Sequence, residues 1–128
     1  MTKLIELPAH IAEDFRIEVD QATDGWTVRC NGTLDHTDAS TAVQPLLLKL
    51  HQTLVTEQVK QVRLELFGVD YINSSGLKSF MSWFLKADQG GQPAYKINVI
   101  FDPKRTWQAV SLGAMAQVAP STLVMTQR

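Results

Sequence analysis

Four short segments of the chain alternate apolar and polar side chains with a period of two. In a β-strand this period places the apolar residues on one face and the polar residues on the other. Strands of a sheet that is covered on both faces show continuous apolar runs instead. The alternation therefore predicts a sheet with one helix-covered face and one face left largely to water. The four segments are residues 15–19, 26–30, 62–66 and 97–101.

The first two of these segments are separated by a turn signal. Residues 21–25 lie between them and end in Asp24-Gly25, a dipeptide that favours tight turns. We therefore expect the two segments to form an antiparallel hairpin. Near the end of the chain, residues 123–125 form either a short last strand or a tail packed on the sheet.

The first helical segment lies between the second and third predicted strands. Its leucines follow helical spacing over residues 45–55. Pro45 suits the first position of a helix, whereas a start near Asp38 would place the proline inside the helix and require a kink. The sequence is compatible with either start of this helix. The leucines are Leu46, Leu47, Leu50 and Leu54.

Two further helical segments follow the third and fourth predicted strands. An apolar stripe predicts a helix over residues 76–89 with Gly90-Gly91 as its stop. Asp102-Pro103 predicts the cap and first position of another helix, which ends near Gly113. The stripe consists of Leu77, Phe80, Met81, Phe84 and Leu85, with Trp83 expected in the core beside it. Together these elements predict an α/β fold: a small mixed sheet of four or five strands, an N-terminal hairpin, and helices mainly on one face.

Length and composition favour an ordinary globular domain and exclude several classes of protein. The chain has 128 residues, of which 45% are hydrophobic and 20% charged, so we expect one domain over residues 1–128. A formal net charge of −1 is unlike that of a dedicated nucleic-acid binder. The single cysteine, Cys30, excludes an internal disulfide and a cysteine-based zinc cluster. No apolar run is long enough to span a bilayer, and the N-terminus lacks a signal-peptide pattern. We expect a cytoplasmic protein.

Charge is unevenly distributed along the chain. Residues 1–40 contain three basic and eight acidic residues, whereas residues 41–128 contain nine basic and five acidic residues. Either the two groups attract each other within the fold, or the acidic group steers a basic partner. His10, His36 and His51 are far apart in sequence and lack partners at metal-ligand spacing, so we predict surface or capping roles and no metal site.

A polar segment, Asn73-Ser74-Ser75-Gly76, lies where the third predicted strand meets its helix. Small polar side chains at this position can accept hydrogen bonds from the first N–H groups of the helix, which have no partner within it. A hydroxyl there also lies at the positive end of the helix dipole, where an added phosphate is tolerated. On the local pattern alone, a plain helix cap is the simpler interpretation.

Three segments together resemble the STAS domain, a family named for sulfate transporters and anti-sigma factor antagonists. Residues 64–77 resemble the family's strand, turn and Asp-Ser-Ser-Gly-Leu helix start. Residues 31–36 resemble its Gly-Glu-Leu-Asp turn. Asp102-Pro103 and the helix that follows resemble its last helix. The three matches occur in the family's order and cover most of residues 13–126.

The resemblance implies a non-catalytic bacterial regulatory module without a cofactor. In the anti-sigma factor antagonist branch, a kinase phosphorylates the first serine of the motif, which corresponds to Ser74. The unphosphorylated form binds the kinase or anti-sigma protein, and a phosphatase restores that form. The implied partner surface surrounds Ser74, and we expect Asp35 to lie close to it. This surface comprises Asp35, His36, Asn73, Ser74, Ser75, Gly76 and Lys78.

The same residues also suggest two alternative functions. Asn73 occupies the place of the family's aspartate, which keeps the hydrogen-bonding shape and removes a negative charge. This difference favours a STAS subunit of an ABC-type lipid transport complex, which would dock on the ATPase without phosphorylation. A small serine hydrolase using Ser74, His36 and Asp35 is a further alternative, although the Gly-x-Ser-x-Gly elbow is missing. The partner and the oligomeric state do not follow from the sequence.

Overall fold

The computed structural model describes residues 2–22, 25–89 and 92–128, within which six strands and four helices are found. The strands are β1 (Thr2–Ile5), β2 (Phe15–Ala22), β3 (Gly25–Leu34), β4 (Gln61–Ile72), β5 (Lys96–Phe101) and β6 (Leu123–Gln127). The helices are α1 (Ala9–Ala12), α2 (Ala39–Thr56), α3 (Ser74–Asp88) and α4 (Thr106–Val118). None of the helices in the described ranges is long and apolar enough to cross a membrane.

The six strands form one mixed sheet in the order β1-β2-β3-β4-β5-β6. The first three strands pair antiparallel, and β3 to β6 pair parallel. Each parallel connection contains a helix and steps in the same direction, so right-handed crossovers place these helices on one face. The mixed α/β fold with an N-terminal hairpin is confirmed, but six strands replace the predicted four or five. The missed strand, β1, has only four residues and is held at the sheet edge by its pairing with β2.

The two faces of the sheet differ as the alternation predicted. One cluster of buried apolar side chains includes the inward residues of the strands together with residues of all four helices. On the opposite face, Glu65 accepts hydrogen bonds from Arg29 at 3.0 Å and from Arg63 at 2.7 Å. Cys30 faces the core, and its burial raises the pKa of the thiol. The thiol therefore stays protonated and behaves as a small apolar side chain.

The structure decides one helix start that the sequence left open and corrects the bounds of another helix. Helix α2 starts upstream at Ala39 and contains Pro45, so the exposed Thr41 carbonyl lacks its helical N–H partner. Helix α4 begins at Thr106 and continues through Gly113 to Val118. The predicted start at Asp102 is wrong because that residue forms a turn, in which its carboxylate accepts from the N–H of Lys104 at 3.0 Å.

The core face of α3 agrees with most of the predicted stripe. Phe80, Trp83 and Phe84 are buried, whereas Leu77 and Met81 pack against the core while partly exposed. Leu85 is exposed, so the stripe is narrower than predicted. The predicted glycine stop Gly90-Gly91 lies outside the described residues, as does Asp24 of the predicted turn. The helix ends at Asp88 and is followed by Gln89 in the left-handed conformation, with φ of 47°.

Candidate functional site

The C-terminal ends of β3 and β4 bring two connections together at one edge of the sheet. Leu34 lies opposite Ile72 in the parallel register of these strands. Residues 35–38, here called the β3–α2 loop, follow β3, while Asn73 leads from β4 directly into α3. The two sequence segments that resemble the STAS signature are therefore neighbours in space.

Asn73 joins the start of α3 to the β3–α2 loop through three hydrogen bonds. Its Oδ1 accepts from the N–H of Gly76 at 2.8 Å and caps the helix. Its Nδ2 donates to the carbonyl of His36 at 2.9 Å. Its main-chain N–H donates to the carbonyl of Leu34 at 2.8 Å. The residues on both sides of Asp35 are thus bonded to Asn73, which holds the loop against the helix start.

The two serines that follow Asn73 have different surroundings. Ser74 is exposed, and its hydroxyl forms no hydrogen bond with another residue of the described ranges. Ser75 is partly buried, and its Oγ accepts from the N–H of Ser40 at 2.8 Å, in the first turn of α2. Asp38 at the start of α2 makes no capping bond with its side chain, which lies 2.9 Å from His10 instead. Ser75 therefore caps a neighbouring helix, while the Ser74 hydroxyl is available to solvent.

Gly76 allows β3 and the first turn of α3 to pack closely. A Cβ atom at this position would lie 2.6 Å from Ile72 Cγ2 and 2.7 Å from Leu34 Cδ2. Both distances are below any normal carbon contact, so a larger residue would push these side chains apart. Gly76 is itself buried and thus contributes to the surface only by shaping the backbone beneath it.

His36, a residue of the β3–α2 loop, forms a pair with His10. Its ring packs edge-on against His10 at a centroid distance of 5.4 Å, so these two histidines are neighbours although the sequence separates them. The Nε2 atom of His36 is buried, lies 3.5 Å from Asp14 Oδ2 and makes no hydrogen bond. The acidic residue beside the ring is therefore Asp14 rather than Asp35, and a hydrogen-bonded Ser74–His36–Asp35 arrangement is not formed. No cluster of metal ligands occurs in residues 2–22, 25–89 and 92–128.

Two residues at the start of α4, Trp107 and Gln108, hydrogen-bond to carbonyl groups of β4. The sequence analysis did not identify these contacts. The buried Gln108 donates from Nε2 to the carbonyls of Leu66 and Val69, both at 2.8 Å. Trp107 donates from Nε1 to the Asp70 carbonyl at 2.8 Å and contacts the ring of Tyr71 edge-on. Tyr71, three residues before Ser74 in the sequence, is 47% exposed, which leaves a large aromatic side chain open to a partner. The sequence analysis placed Tyr71 in the turn after the strand, whereas β4 continues to Ile72. The contact of Tyr71 with Trp107 depends on how α4 packs.

An apolar groove between α3 and α4 begins at Ser74. Lys78, one turn after Ser74 on α3, is exposed at its rim. The groove is lined by Ser74, Leu77, Lys78, Met81, Ser111, Ala114 and Met115. Of the predicted partner-surface residues, the structure leaves Asp35, Ser74 and Lys78 exposed, places His36, Asn73 and Ser75 half-buried, and buries Gly76.

Comparison with solved structures identifies the fold. An anti-sigma factor antagonist from Mycobacterium paratuberculosis aligns with a TM-score of 0.59 and 19% identity over 87% of this chain and 86% of that chain. The protein TM1081 aligns with a TM-score of 0.60 and 12% identity, covering 85% of this chain and 78% of its own. The anti-sigma factor antagonist SpoIIAA in its unphosphorylated form aligns with a TM-score of 0.52 and 14% identity, over 86% and 87% of the two chains.

These alignments establish the fold, although the low sequence identities show only a distant sequence relationship. No protein-family model matches the chain, and no curated protein matches it significantly in sequence. The chain nevertheless has the STAS fold of the anti-sigma factor antagonists over most of its length. The resemblance found in the sequence is thus confirmed at the level of the fold.

Proposed function

We propose that this chain is a non-catalytic regulatory module that binds a protein partner through the surface around Ser74, and that phosphorylation of Ser74 controls this binding. The proposed partner is a serine kinase or an anti-sigma-type protein, and the proposed compartment for this binding is the cytoplasm. Two of the structural neighbours are anti-sigma factor antagonists, and one of them was solved in its unphosphorylated form. We propose that this chain likewise has an unphosphorylated state and a phosphorylated state.

The observation that supports this proposal most directly is the difference between Ser74 and Ser75. A phosphoacceptor must present its hydroxyl to a kinase, and Ser74 is exposed with a hydroxyl free of hydrogen bonds to described residues. Ser75 uses its hydroxyl to cap α2, so its modification would remove a bond that holds two helices together. The chain thus offers the first serine for modification and uses the second for structure.

Local electrostatics favour a phosphate on Ser74 in the free protein. Ser74 is the first residue of α3, where unpaired N–H groups and the helix dipole stabilise negative charge. The cap residue Asn73 is neutral, so no carboxylate at the cap repels the phosphate. The modification adds a charge of about −1.5 to −2 at pH 7. We expect the fold to remain unchanged on phosphorylation.

The same phosphate would oppose partner binding. A partner that covers Ser74 must remove water from the phosphate, which is costly unless the partner supplies a cation. Tyr71, Trp107 and the apolar groove beside Ser74 give such a partner an apolar area to cover. We therefore expect phosphorylation to weaken binding by charge and desolvation, with no large conformational change.

Asn73 favours one alternative, a STAS subunit that docks on the ATPase of an ABC-type lipid transport complex without phosphorylation. Its neutral side chain replaces the acidic residue found next to the phosphoacceptor in the resembling family. In this alternative, the exposed Ser74 is a contact residue rather than a modified one. The two functions share the surface and differ in whether Ser74 ever carries a phosphate.

The test combines mass spectrometry with binding measurements. The chain is purified from its native cells together with its bound partner, and its intact mass and fragments are examined for a phosphate on Ser74. The purified partner is then titrated with the wild type, Ser74→Ala and Ser74→Glu. Ser121→Glu is the matched control, because it introduces the same charge in the turn before β6, at the opposite end of the parallel strands.

We expect Ser74→Glu to weaken binding by about tenfold or more, because the added charge is buried against the partner. Ser74→Ala and Ser121→Glu should bind like the wild type. If Ser74→Glu binds normally, the phosphorylation switch is wrong, and the transport-subunit alternative replaces it.

A further inference from the structure

We infer that Asn73 is a positioning residue whose carboxamide holds the β3–α2 loop and the start of α3 as one recognition surface, a task that an aspartate cannot perform in this chain. This inference rests on the proposed function for the identity of the surface. Asn73 stands where the family pattern has aspartate, and under this inference the structure of this chain requires the asparagine.

Both ends of the Asn73 amide are used. The N–H of Gly76 can only donate, so the atom facing it at 2.8 Å must be the amide oxygen. The carbonyl of His36 can only accept, so the atom facing it at 2.9 Å must be the amide nitrogen. The surroundings therefore fix the orientation of the amide and require one acceptor and one donor.

A carboxylate satisfies only half of this requirement. Ionised aspartate has acceptors and no donor, so it would keep the cap on Gly76 and place an oxygen against the carbonyl oxygen of His36. Serine would keep a cap acceptor but is too short to bridge to the loop. Both substitutions remove the donor that reaches the His36 carbonyl, and only one of them adds charge. They therefore separate the loss of the bridge from the effect of charge.

Two neighbouring hydrogen bonds report whether the bridge is intact. The N–H of residue 73 donates to Leu34, the last residue of β3 before the β3–α2 loop, and the N–H of Ser40, in the first turn of α2 after the loop, donates to Ser75. If the loop moves away from α3, both N–H groups lose protection from hydrogen exchange, whereas the capped N–H of Gly76 stays protected. A residue that only stabilised the helix would show the opposite pattern.

The experiment measures amide hydrogen exchange by NMR in the purified chain, without partner or phosphate. Asn73→Asp and Asn73→Ser should both increase exchange at positions 73 and 40 and leave Gly76 protected. Asn98→Asp is the matched control: it adds the same charge on β5 and keeps the oxygen that accepts from Thr126 Oγ1 at 2.7 Å. Unchanged exchange at positions 73 and 40, loss of protection at Gly76, or an effect in Asn73→Asp alone would each overturn the role of the amide.

A second measurement separates this inference from the proposed function. In the partner titration, we expect Asn73→Asp and Asn73→Ser to weaken binding about fivefold, the effect of losing one positioning hydrogen bond. Normal affinity despite increased exchange would overturn the idea that the partner recognises the β3–α2 loop and the start of α3 together. Unchanged exchange would overturn the positioning role even if Ser74→Glu confirmed the switch.

Discussion

Helix α3 is built differently at its two ends. At its N-terminus, Asn73 hydrogen-bonds to the β3–α2 loop, Ser75 hydrogen-bonds to the first turn of α2, and the hydroxyl of Ser74 remains open to solvent. From its middle towards its C-terminus, the rings of Phe80, Trp83 and Phe84 pack against one another with exposures of 1% or less. The first end presents a polar surface, and the second anchors the helix in the core.

The buried end also contains polar groups, but all of these are satisfied within the protein. Trp83 Nε1 donates to the Tyr95 hydroxyl at 2.7 Å, and that hydroxyl lies 2.8 Å from His51 Nδ1. Burial raises the pKa of Tyr95, while its bond with Trp83 acts in the opposite direction. The hydroxyl stays protonated and can donate to His51. Changes at the N-terminal end of α3 should therefore affect partner binding, whereas changes at its buried end should affect folding stability.

The largest effect is expected in the aromatic core. Phe84 is fully buried, so Phe84→Ala removes a ring from a packed site and should lower the free energy of unfolding by about 3–5 kcal/mol. Denaturant unfolding measures this loss. Leu85→Ala is the control, because the adjacent Leu85 is 48% exposed and should change stability by less than about 1 kcal/mol. A loss below about 1 kcal/mol for Phe84→Ala would contradict the packing of this end.

A smaller effect should separate the two serines at the N-terminal end. Ser75→Ala removes the side-chain acceptor for the Ser40 N–H and should destabilise the protein by about 0.5–2 kcal/mol, as the loss of a helix cap does. Ser74→Ala removes an exposed hydroxyl and should stay within about 0.5 kcal/mol of the wild type. Both values come from the same denaturant titration. Equal losses in the two variants would mean that the serines are not divided between structure and surface.

A pH-dependent effect should come from the hydrogen-bond chain at the buried end. Burial, followed by the charge of Lys86, lowers the pKa of His51 below 6.5 in the folded protein. The unfolded chain then binds more protons just below pH 6.5, so this contribution to stability is complete above that pH and is lost as the pH falls through the lowered value. Protonation also occupies the Nδ1 atom that accepts from Tyr95.

Unfolding at about pH 7.5 and about pH 5.5 tests this contribution. The variant His51→Gln keeps a neutral acceptor for Tyr95 and should lose less stability between the two pH values than the wild type. Lys86→Gln removes only the second cause of the shift and should give an intermediate slope. If His51→Gln keeps the full slope, another group causes the acid sensitivity.

The parts of the molecule that sequence analysis predicted are those set by local periodicity. Alternation in residues 62–66 and the stripe around Phe84 each repeat within one element, so one strand or helix contains the whole signal. The bond between Ser75 and Ser40 joins residues 35 positions apart and depends on how two helices meet. The start of α4 was misplaced because Asp102 has the residue type of a helix cap but uses its carboxylate in a turn. Side-chain partners of this kind require the packed structure.

The smallest effect on stability is expected at Asp35, and it tests whether the N-terminal end is a contact surface. Asp35 is exposed and forms no hydrogen bond within the described ranges, while the loop around it is held through Leu34 and His36. Asp35→Ala should therefore keep the free energy of unfolding within about 0.5 kcal/mol. Its affinity for the partner should fall, because a charge at the edge of the surface is lost.

Asp38→Ala distinguishes a local contact from the general acidity of this part of the chain. Asp38 is also exposed but is paired with His10 at 2.9 Å, and its removal changes the net charge equally. A contact at Asp35 predicts that only Asp35→Ala weakens binding and that the loss persists at high salt. Steering by the acidic residues as a group predicts similar losses in both variants, which disappear as salt screens the charges. That second result would remove Asp35 from the proposed recognition surface without bearing on the proposed phosphorylation of Ser74.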